Sequence, residues 1–379
     1  VASPLLSYER WGSLLGKRVL VRVDFNTPVA DVNGLLTVTD DFRIRATVPL
    51  FEDLLARGAT VVACTHFGRP DGKVVEKYRV APVRRRLNQL CSGVELLENL
   101  RFDPGEEAND PTFGASLIEG FDYYINEAFG ASHRAHASIM IPPTLVASAA
   151  GPNLIREVST IHDLLDSPKR PLIAIVGGAK VADKFGIMKV LVERVDTVIV
   201  GGGMAFTFEV AMGRTIGSSL FNASYVEQCG ELLKSGRVLI PSDSRGLPDG
   251  APFGPESGPD EVVDFGASIP DGFMALDIGS DSVQRFSDVI SGAASILWNG
   301  PMGVFEDARF SQGTEAVARS VAAANAVSVV GGGDSVAALR SYGLESDATF
   351  VSTGGGASLE LVELGDLPGL RALRESKWN

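Results

Sequence analysis

The stretch PLIAIVGGAK (171–180) decides the fold: an uninterrupted apolar run passes directly into two glycines, an alanine and a lysine. A short apolar run with no polar alternation suits a strand buried on both faces of a parallel sheet. Glycine at its end lets a backbone approach an anion closely and adopt positive φ. The pattern recurs outward from this point. TVIV (197–200) runs into Gly201-Gly202-Gly203, SILW (295–298) into Asn299-Gly300-Pro301, VSVV (327–330) into Gly331-Gly332-Gly333-Asp334-Ser335, and TFVS (349–352) into Thr353-Gly354-Gly355-Gly356. A sixth run, VLIP (238–241), ends at Asp243 without glycine. A helix starting at such a turn points unpaired N–H groups at the same spot. Several such turns at one edge of a parallel sheet describe a nucleotide crevice.

The first half also alternates strands and helices. KRVLVRVD (17–24), ATVVACTH (59–66), VELLEN (94–99) and DYYIN (122–126) read as strands, with helical periodicity over 43–57 and 79–91. The chain is therefore expected to be α/β, with two doubly wound, Rossmann-like parallel-sheet domains. Its 379 residues suffice for two cores. The amphipathic segment GPNLIREVSTIHDLLDSPKRP (151–171), bounded by Pro152 and Pro168, reads as the helix joining them. The expected boundaries are 1–150, a linking helix and hinge over 151–168, and 169–363. SDSRGLPDGAPFGPESGPDE (242–261), rich in glycine and proline, reads as a surface loop.

Composition excludes some functions. A net charge of −13 with a pI near 4.9 argues against nucleic-acid binding. No apolar stretch reaches membrane-spanning length. VASPLLSYERWG at the start lacks a basic region followed by an apolar block, so no secretory signal is expected. Cys64, Cys91 and Cys229 match no metal spacing and read as buried free thiols suited to the cytoplasm. Arg84-Arg85-Arg86 reads as a solvated helix face.

Ligands of parallel sheets sit beyond the carboxyl ends of the strands. Asp24 and Asn26 follow the first strand; His66, Gly68 and Arg69 the second; Asn99 and Arg101 the third; Asn126 and then His133-Arg134-Ala135-His136 the fourth. Arg43 opens the helix after the first long turn. Arg43, Arg69, Arg101 and Arg134 are expected to converge, because guanidinium forks match carboxylate and phosphate. The histidines lack a third ligand for a metal and read as hydrogen-bonding groups. Lys180 and Lys184, four apart, would share one face if a helix began at the preceding glycine turn.

Taken together, RVDFNTP (22–28), THFGRP (65–70), ENLRF (98–102), NEAFGASHRAHAS (126–138), GGAKVADK (177–184), GGGMAFTF (201–208), WNGPMGVFE (298–306), GGGDSVAA (331–338) and STGGGASLE (352–360) resemble the phosphoglycerate kinase family, in family order and over nearly the whole chain. The resemblance implies reversible, Mg2+-dependent phosphoryl transfer between 1,3-bisphosphoglycerate with ADP and 3-phosphoglycerate with ATP, in a monomer without nucleic-acid or membrane partners. It implies that Asp24, Asn26, Arg43, His66, Arg69, Arg101 and Arg134 bind phosphoglycerate. Gly178, Ala179, Lys184, Gly202, Ala275, Asn299, Pro301, Glu306 and the turn Gly332-Gly333-Asp334-Ser335 would bind nucleotide, with Asp334 near its magnesium. Arg43, Lys180, Lys184 and the helix start Gly354-Gly355-Gly356 would act on the transferring group. The chain end, 364–379, would return to the first domain. Transfer would require domain closure, with hinges near 151–165 and 352–366.

The chain departs from the family pattern in places. It is shorter between Cys91 and Glu98; Phe67 stands for a usual leucine, and Glu127 for a usual aspartate. Ala275 and Leu364 stand for usual glycines, the second near a hinge. A Rossmann dehydrogenase using NAD is disfavoured because no G-x-G-x-x-G follows a strand. A non-catalytic nucleotide-binding homologue would be signalled by loss of Arg43, Lys180, Lys184 or Asp334, and all are present.

Overall fold

In the computed structural model, which describes residues 4–255 and 262–378, both parallel sheets are present. The chain divides into two compact units, Val1–Ser159 with Leu364–Asn379, and Thr160–Glu363.

The first unit contains β1 (Arg18–Arg22), a hairpin of β2 (Val29–Val32) and β3 (Leu35–Val38), α1 (Phe42–Ala56), β4 (Thr60–Cys64), α2 (Ala81–Leu90) and β5 (Val94–Leu96). There follow α3 (Pro104–Glu107), α4 (Pro111–Ile118), β6 (Tyr123–Asn126), α5 (Ala137–Met140), α6 (Pro142–Leu145), β7 (Ala147–Ala150) and α7 (Pro152–Asp166). The unit boundary falls within α7. The sheet runs β5-β4-β1-β6-β7, all parallel, with Arg22 level with Cys64 on one side and Asn126 on the other. Its order reverses beside β1, which places a crevice at the carboxyl ends of β1 and β6. α1 buries Ile44, Thr47, Leu50, Phe51 and Leu54, spaced three and four apart, against Val19 and Val21 of β1 and Val61 and Ala63 of β4. It stops before Gly58, whose φ of 86° ends the helix.

β7 was not expected. Its sequence, ASAA, carries none of the branched residues that mark strands, yet it pairs with β6 from Tyr123↔Ala147 to Asn126↔Ala150. The basic run on α2 lies on its solvated side, with Arg85 exposed and Arg84 and Arg86 half-buried, and it also makes specific contacts. Arg84 donates to the Leu96 carbonyl, Arg85 to that of Leu36, and Arg86 to Asp41, tying α2 to its neighbours. The three cysteines are free and buried.

The second unit contains β8 (Leu172–Val176), α8 (Phe185–Arg194), β9 (Thr197–Val200), α9 (Ala205–Ala211), α10 (Val226–Leu233), β10 (Val238–Leu239), β11 (Ser244–Pro248), β12 (Val263–Phe265) and β13 (Phe273–Ile278). Then come α11 (Ser280–Ser291), β14 (Ser295–Asn299), α12 (Gln312–Ala323), β15 (Val327–Gly331), α13 (Gly333–Ser341), β16 (Phe350–Val351) and α14 (Gly356–Leu364). All six apolar runs join one parallel sheet in the order β10-β9-β8-β14-β15-β16. β8 and β14 are buried along their whole length, as the unbroken apolar pattern requires. They pair from Leu172↔Ser295 to Val176↔Asn299, and the order reverses between them.

The stretch 242–261 is not simply a loop. Ser244–Pro248 forms β11, the centre of an antiparallel sheet β12-β11-β13; residues 256–261 of that stretch lie outside the described residues. Composition misled because Gly246 serves close approach rather than a turn: a Cβ there would lie 1.8 Å from the Met274 carbonyl oxygen. α14 runs through Leu364 and stops at Gly365, whose φ is 72°. The final helix, α15 (Pro368–Arg374), belongs to the first unit, where Gly369 N–H donates to the Ser132 carbonyl at 2.9 Å and Leu370 and Leu373 are buried. No described helix is long and apolar enough to cross a membrane.

Candidate functional site

In the first unit, the strand ends enclose a cavity of about 330 Å³. Arg22, Arg69, Arg101, Arg134, His66, His133, His136 and Asn26 line it, and no Asp or Glu does. Its positive charge is compensated behind the wall. Arg22, fully buried at the end of β1, donates from Nε to Ser138 Oγ at 2.9 Å and lies 4.0 Å from Glu106. Glu106, also fully buried, accepts from Ser138 N–H at 2.8 Å and from its hydroxyl at 2.6 Å. Arg101 donates to the Gly68 carbonyl at 2.8 Å, and its Nε lies 3.0 Å from Glu107, close enough for an ion pair but not aligned as a hydrogen bond. Arg69 is exposed on the rim, and Arg134 packs against His133 at 3.1 Å.

Burial pushes the His66 imidazole down to about 3, against the pull of Asp24, so the ring is neutral. Arg22 Nη2 lies 3.3 Å from its Nδ1. A guanidinium can only donate, so Nδ1 accepts and the ring proton sits on Nε2. His136 is likewise held down, to about 4, by burial and by Arg101, Arg22 and Arg134. The cavity thus sets fixed cations beside the neutral rings of His66 and His136.

Arg43 stands beside the cavity, 2.9 Å from Asp24 Oδ2. Burial raises the Asp24 pKa, but Arg43, His66 and Arg22 outweigh it and leave the carboxyl below its ordinary value. Asn26 Oδ1 accepts Gly68 N–H at 2.9 Å, which ties the turn after β1 to that after β4. The structure therefore gathers Arg69, Arg101 and Arg134 around one cavity, with Arg43 adjoining through Asp24. It adds Arg22 and Glu106, which sequence reading missed: Arg22, a strand residue among valines, looks like an ordinary alternating position, and Glu106 lies in the short helix α3, where an acidic first turn looks like ordinary helix-end charge.

In the second unit, a cavity of about 490 Å³ opens beyond the carboxyl ends of β8 and β14. Of the expected nucleotide ligands, Gly178, Ala179, Gly202, Ala275, Pro301, Glu306 and Asp334 line it. Lys184, Asn299, Gly332, Gly333, Ser335 and Gly354 to Gly356 are not in the lining. The glycine turns interlock. Gly177 N–H donates to the Asn299 carbonyl at 2.9 Å, Gly178 to that of Pro301 at 3.1 Å, and Gly202 to that of Met302 at 2.9 Å. A Cβ at Gly177 would lie 2.0 Å from the Pro301 carbonyl oxygen, so these glycines serve backbone-to-backbone approach as well as any ligand. Ser335 is fully buried, and its hydroxyl accepts Gly300 N–H.

The shared helical face expected for Lys180 and Lys184 is not present. α8 begins only at Phe185, Lys180 is exposed, and Lys184 turns back under the glycines. Lys184 Nζ donates to the Gly177 carbonyl at 2.7 Å, to that of Asn299 at 3.1 Å and to Asn299 Oδ1 at 2.7 Å. Burial lowers its pKa to about 8, against Asp334 and Asp183. Asn299 Nδ2 is shielded from solvent with no hydrogen-bond partner among the described residues. The turn after β8 left no helical signal that could have shown this fold-back. Helices do begin directly at two of the other glycine turns, α13 at Gly333 and α14 at Gly356.

Ala275 is buried, and its N–H donates to Ser219 Oγ at 2.9 Å. Asp277, which sequence reading did not single out, also lines the cavity; burial raises its pKa to about 7, against N–H donation from Gly313 and Ile278. Among the described residues, no three His, Cys, Asp or Glu could hold an ion by themselves. Asp334, a lone exposed carboxylate in the first turn of α13, fits a Mg2+ held chiefly by phosphate oxygens.

Among the departures, Phe67 is buried with its N–H on Asn99 Oδ1 at 3.0 Å. Glu127 is buried under the start of α7, accepting from Asn153 N–H at 3.2 Å and Asn153 Nδ2 at 2.7 Å.

The phosphoglycerate kinase profile matches residues 12–95 and 92–364. The two matched stretches overlap at residues 92–95, where the chain passes from α2 through Cys91, Ser92 and Gly93 into β5. The chain is 43% identical over 394 residues to the phosphoglycerate kinase of Picosynechococcus sp., covering 96% of this chain and 97% of the relative. It is 45% identical over 391 residues to that of Moorella thermoacetica, covering 96% and 97%. The solved phosphoglycerate kinase of Coxiella burnetii superposes with a TM-score of 0.87 at 33% identity, over 99% of this chain and 100% of that one. That of Pyrococcus horikoshii gives 0.82 at 28% identity, over 98% and 99%. The chain belongs to the phosphoglycerate kinase family.

Proposed function

We propose that the chain carries out its family's reaction, reversible phosphoryl transfer between 1,3-bisphosphoglycerate with ADP and 3-phosphoglycerate with ATP, with one substrate on each unit. That activity makes it a phosphotransferase with a carboxyl group as acceptor, working in glycolysis and gluconeogenesis. The observation that carries the division of labour is the first unit's cavity: four arginines line it and no carboxylate does. Such a cavity selects a small, multiply charged anion. Phosphoglycerate is then bound by Asn26, His66, Arg69, Arg101 and Arg134, with Asp24 orienting Arg43. The substrate domain is residues 1–150 with the tail 364–379, the nucleotide domain 169–363, and 151–168 joins them.

In the second unit the nucleotide lies along the glycine turns, with Gly178, Ala179, Gly202, Ala275, Pro301 and Glu306 about it. Asn299 offers its unused Nδ2–H, and Lys184 meets a phosphate. The turn Gly332-Gly333-Asp334-Ser335 supports the phosphates; Ser335 acts through Gly300, and Asp334 holds the nucleotide's Mg2+. The metal, when bound, neutralises charge on the phosphate oxygens. Arg43, Lys180 and the N–H groups at Gly354, Gly355 and Gly356 stabilise charge on the transferring group. No general base is required, since the acceptor is a carboxylate or a phosphate. The bound substrates must be brought in line and screened from water, by closure of the domains. The protein works as a cytoplasmic monomer. A coupled assay tests the reading: ATP consumption should depend on both 3-phosphoglycerate and Mg2+. Absence of 3-phosphoglycerate dependence would reject it.

A further inference from the structure

Glu306 lies on the rim of the second unit's cavity, and Asp307 and Arg309 beyond it fasten a separate loop to the same rim. Asp307 Oδ2 accepts Gly254 N–H at 2.9 Å, and Arg309 Nη2 donates to the Pro252 carbonyl at 3.0 Å. Between these anchors is Phe253, which lines the cavity with 46% of its surface exposed. The fasteners also bond to each other, Arg309 Nε to Asp307 Oδ1 at 3.1 Å and Nη2 to Oδ2 at 2.7 Å. Such a paired, charge-assisted contact fixes direction as well as distance. The clasp is rooted in the core, because Asp307 is buried and the Arg309 guanidinium lies 5.4 Å from the ring centre of fully buried Phe310. The Arg309 hydrogen bond holds the Asp307 carboxyl down to about 2, so the pair stays charged at any working pH. Gly254 has a φ of 128°, which only glycine adopts readily, and this turns its N–H toward Asp307.

A half-exposed phenylalanine gains little from this position by itself, since its ring remains largely in water. Two charged side chains are nevertheless committed to its flanking peptide groups. Held at the cavity mouth, the ring offers a flat apolar face that suits a nucleoside.

We propose that Asp307 and Arg309 are positioning residues that hold Phe253 as a wall of the nucleotide pocket, against which the nucleoside packs. The inference rests on the nucleotide reading of this cavity.

Calorimetric titration of the full chain with MgADP, and separately with magnesium tripolyphosphate, tests it. Phe253→Ala should raise the Kd for MgADP roughly tenfold, the effect of losing one aromatic stacking contact. It should leave tripolyphosphate, which has no nucleoside, unchanged. Arg309→Ala should weaken MgADP binding several-fold with the same selectivity, and Arg309→Lys should recover part of the loss. The double variant should bind no more weakly than Phe253→Ala alone, because both remove one contact. In steady-state assays the rise should fall on the KM for MgATP and not on that for 3-phosphoglycerate. Phe253 is exposed enough for its alanine variant to fold, so that variant carries the test if Arg309→Ala does not. Equal MgADP affinity in wild type and Phe253→Ala overturns the proposal, as does a parallel loss of tripolyphosphate binding. If the wild type binds tripolyphosphate but not MgADP, the nucleotide reading itself fails, and the proposal with it.

Discussion

Lys184 and Asn299 are locked together under the glycine turns: Lys184 Nζ donates to Asn299 Oδ1 at 2.7 Å while Asn299 Nδ2 has no hydrogen-bond partner among the described residues. The lysine fixes which way the amide points, and so aims an N–H donor. Its own ammonium is partly desolvated, with a pKa lowered to about 8. A phosphate beside it would raise that pKa again. Nucleotide binding should therefore take up a proton above about pH 8, and affinity should be full below that pH and fall as pH rises beyond it. Calorimetry of MgADP in buffers of different ionisation enthalpy measures the uptake. A Kd unchanged from pH 7 to 9.5 would place Lys184 away from the phosphates.

Arg43→Ala should lower kcat about 100-fold, the scale of losing one donor to charge that develops in the transition state. It also leaves Asp24, half-buried, without the cation 2.9 Å away, so the Asp24 pKa should climb. Steady-state kinetics decides it; an unaltered kcat in a folded variant would remove Arg43 from the transfer step.

Glu127 gives stability a pH dependence. Burial raises its pKa to about 8, although Asn153 and Leu154 donate to it at the start of α7. The folded state thus binds a proton that the unfolded chain has released above its ordinary carboxyl pKa. Stability should fall as pH rises from about 4.5 to about 8, by at most roughly 1.4 kcal/mol per pH unit from this group. Glu127→Gln should flatten that slope and be the more stable protein at pH 8. Denaturation midpoints across this range measure it, and parallel curves for the two proteins would refute the assignment.

Gly177→Ala should destabilise the second unit. Its Cβ would lie 2.0 Å from the Pro301 carbonyl oxygen and 2.7 Å from that of Gly300, backbone atoms that cannot swing away. The expected loss is roughly 1–3 kcal/mol or more, with weaker nucleotide binding because the β8 and β14 turns separate. Urea denaturation followed by an ADP titration would show both, and a wild-type midpoint would contradict the interlock.

The sequence by itself determined the α/β class, the six strands of the second sheet, and the strand ends at which arginines gather. These follow from local chemistry: apolar runs without alternation mark strands buried on both faces, and glycine or a polar residue marks where each one stops. Tertiary structure alone decided three other things. It made a strand of Ala147–Ala150, because pairing with β6 outweighs weak local propensity. It drew Ser244–Pro248 into an antiparallel sheet, because the Gly246 backbone approaches Met274 too closely for any side chain. It also set the direction of each charged group. Lys184 turns back on Asn299 instead of sharing a face with Lys180, and Arg22 sits buried on Ser138 and Glu106 behind the cavity. The partners of these groups lie far away along the chain, and where a buried charge points depends on which of them the fold brings within hydrogen-bond reach.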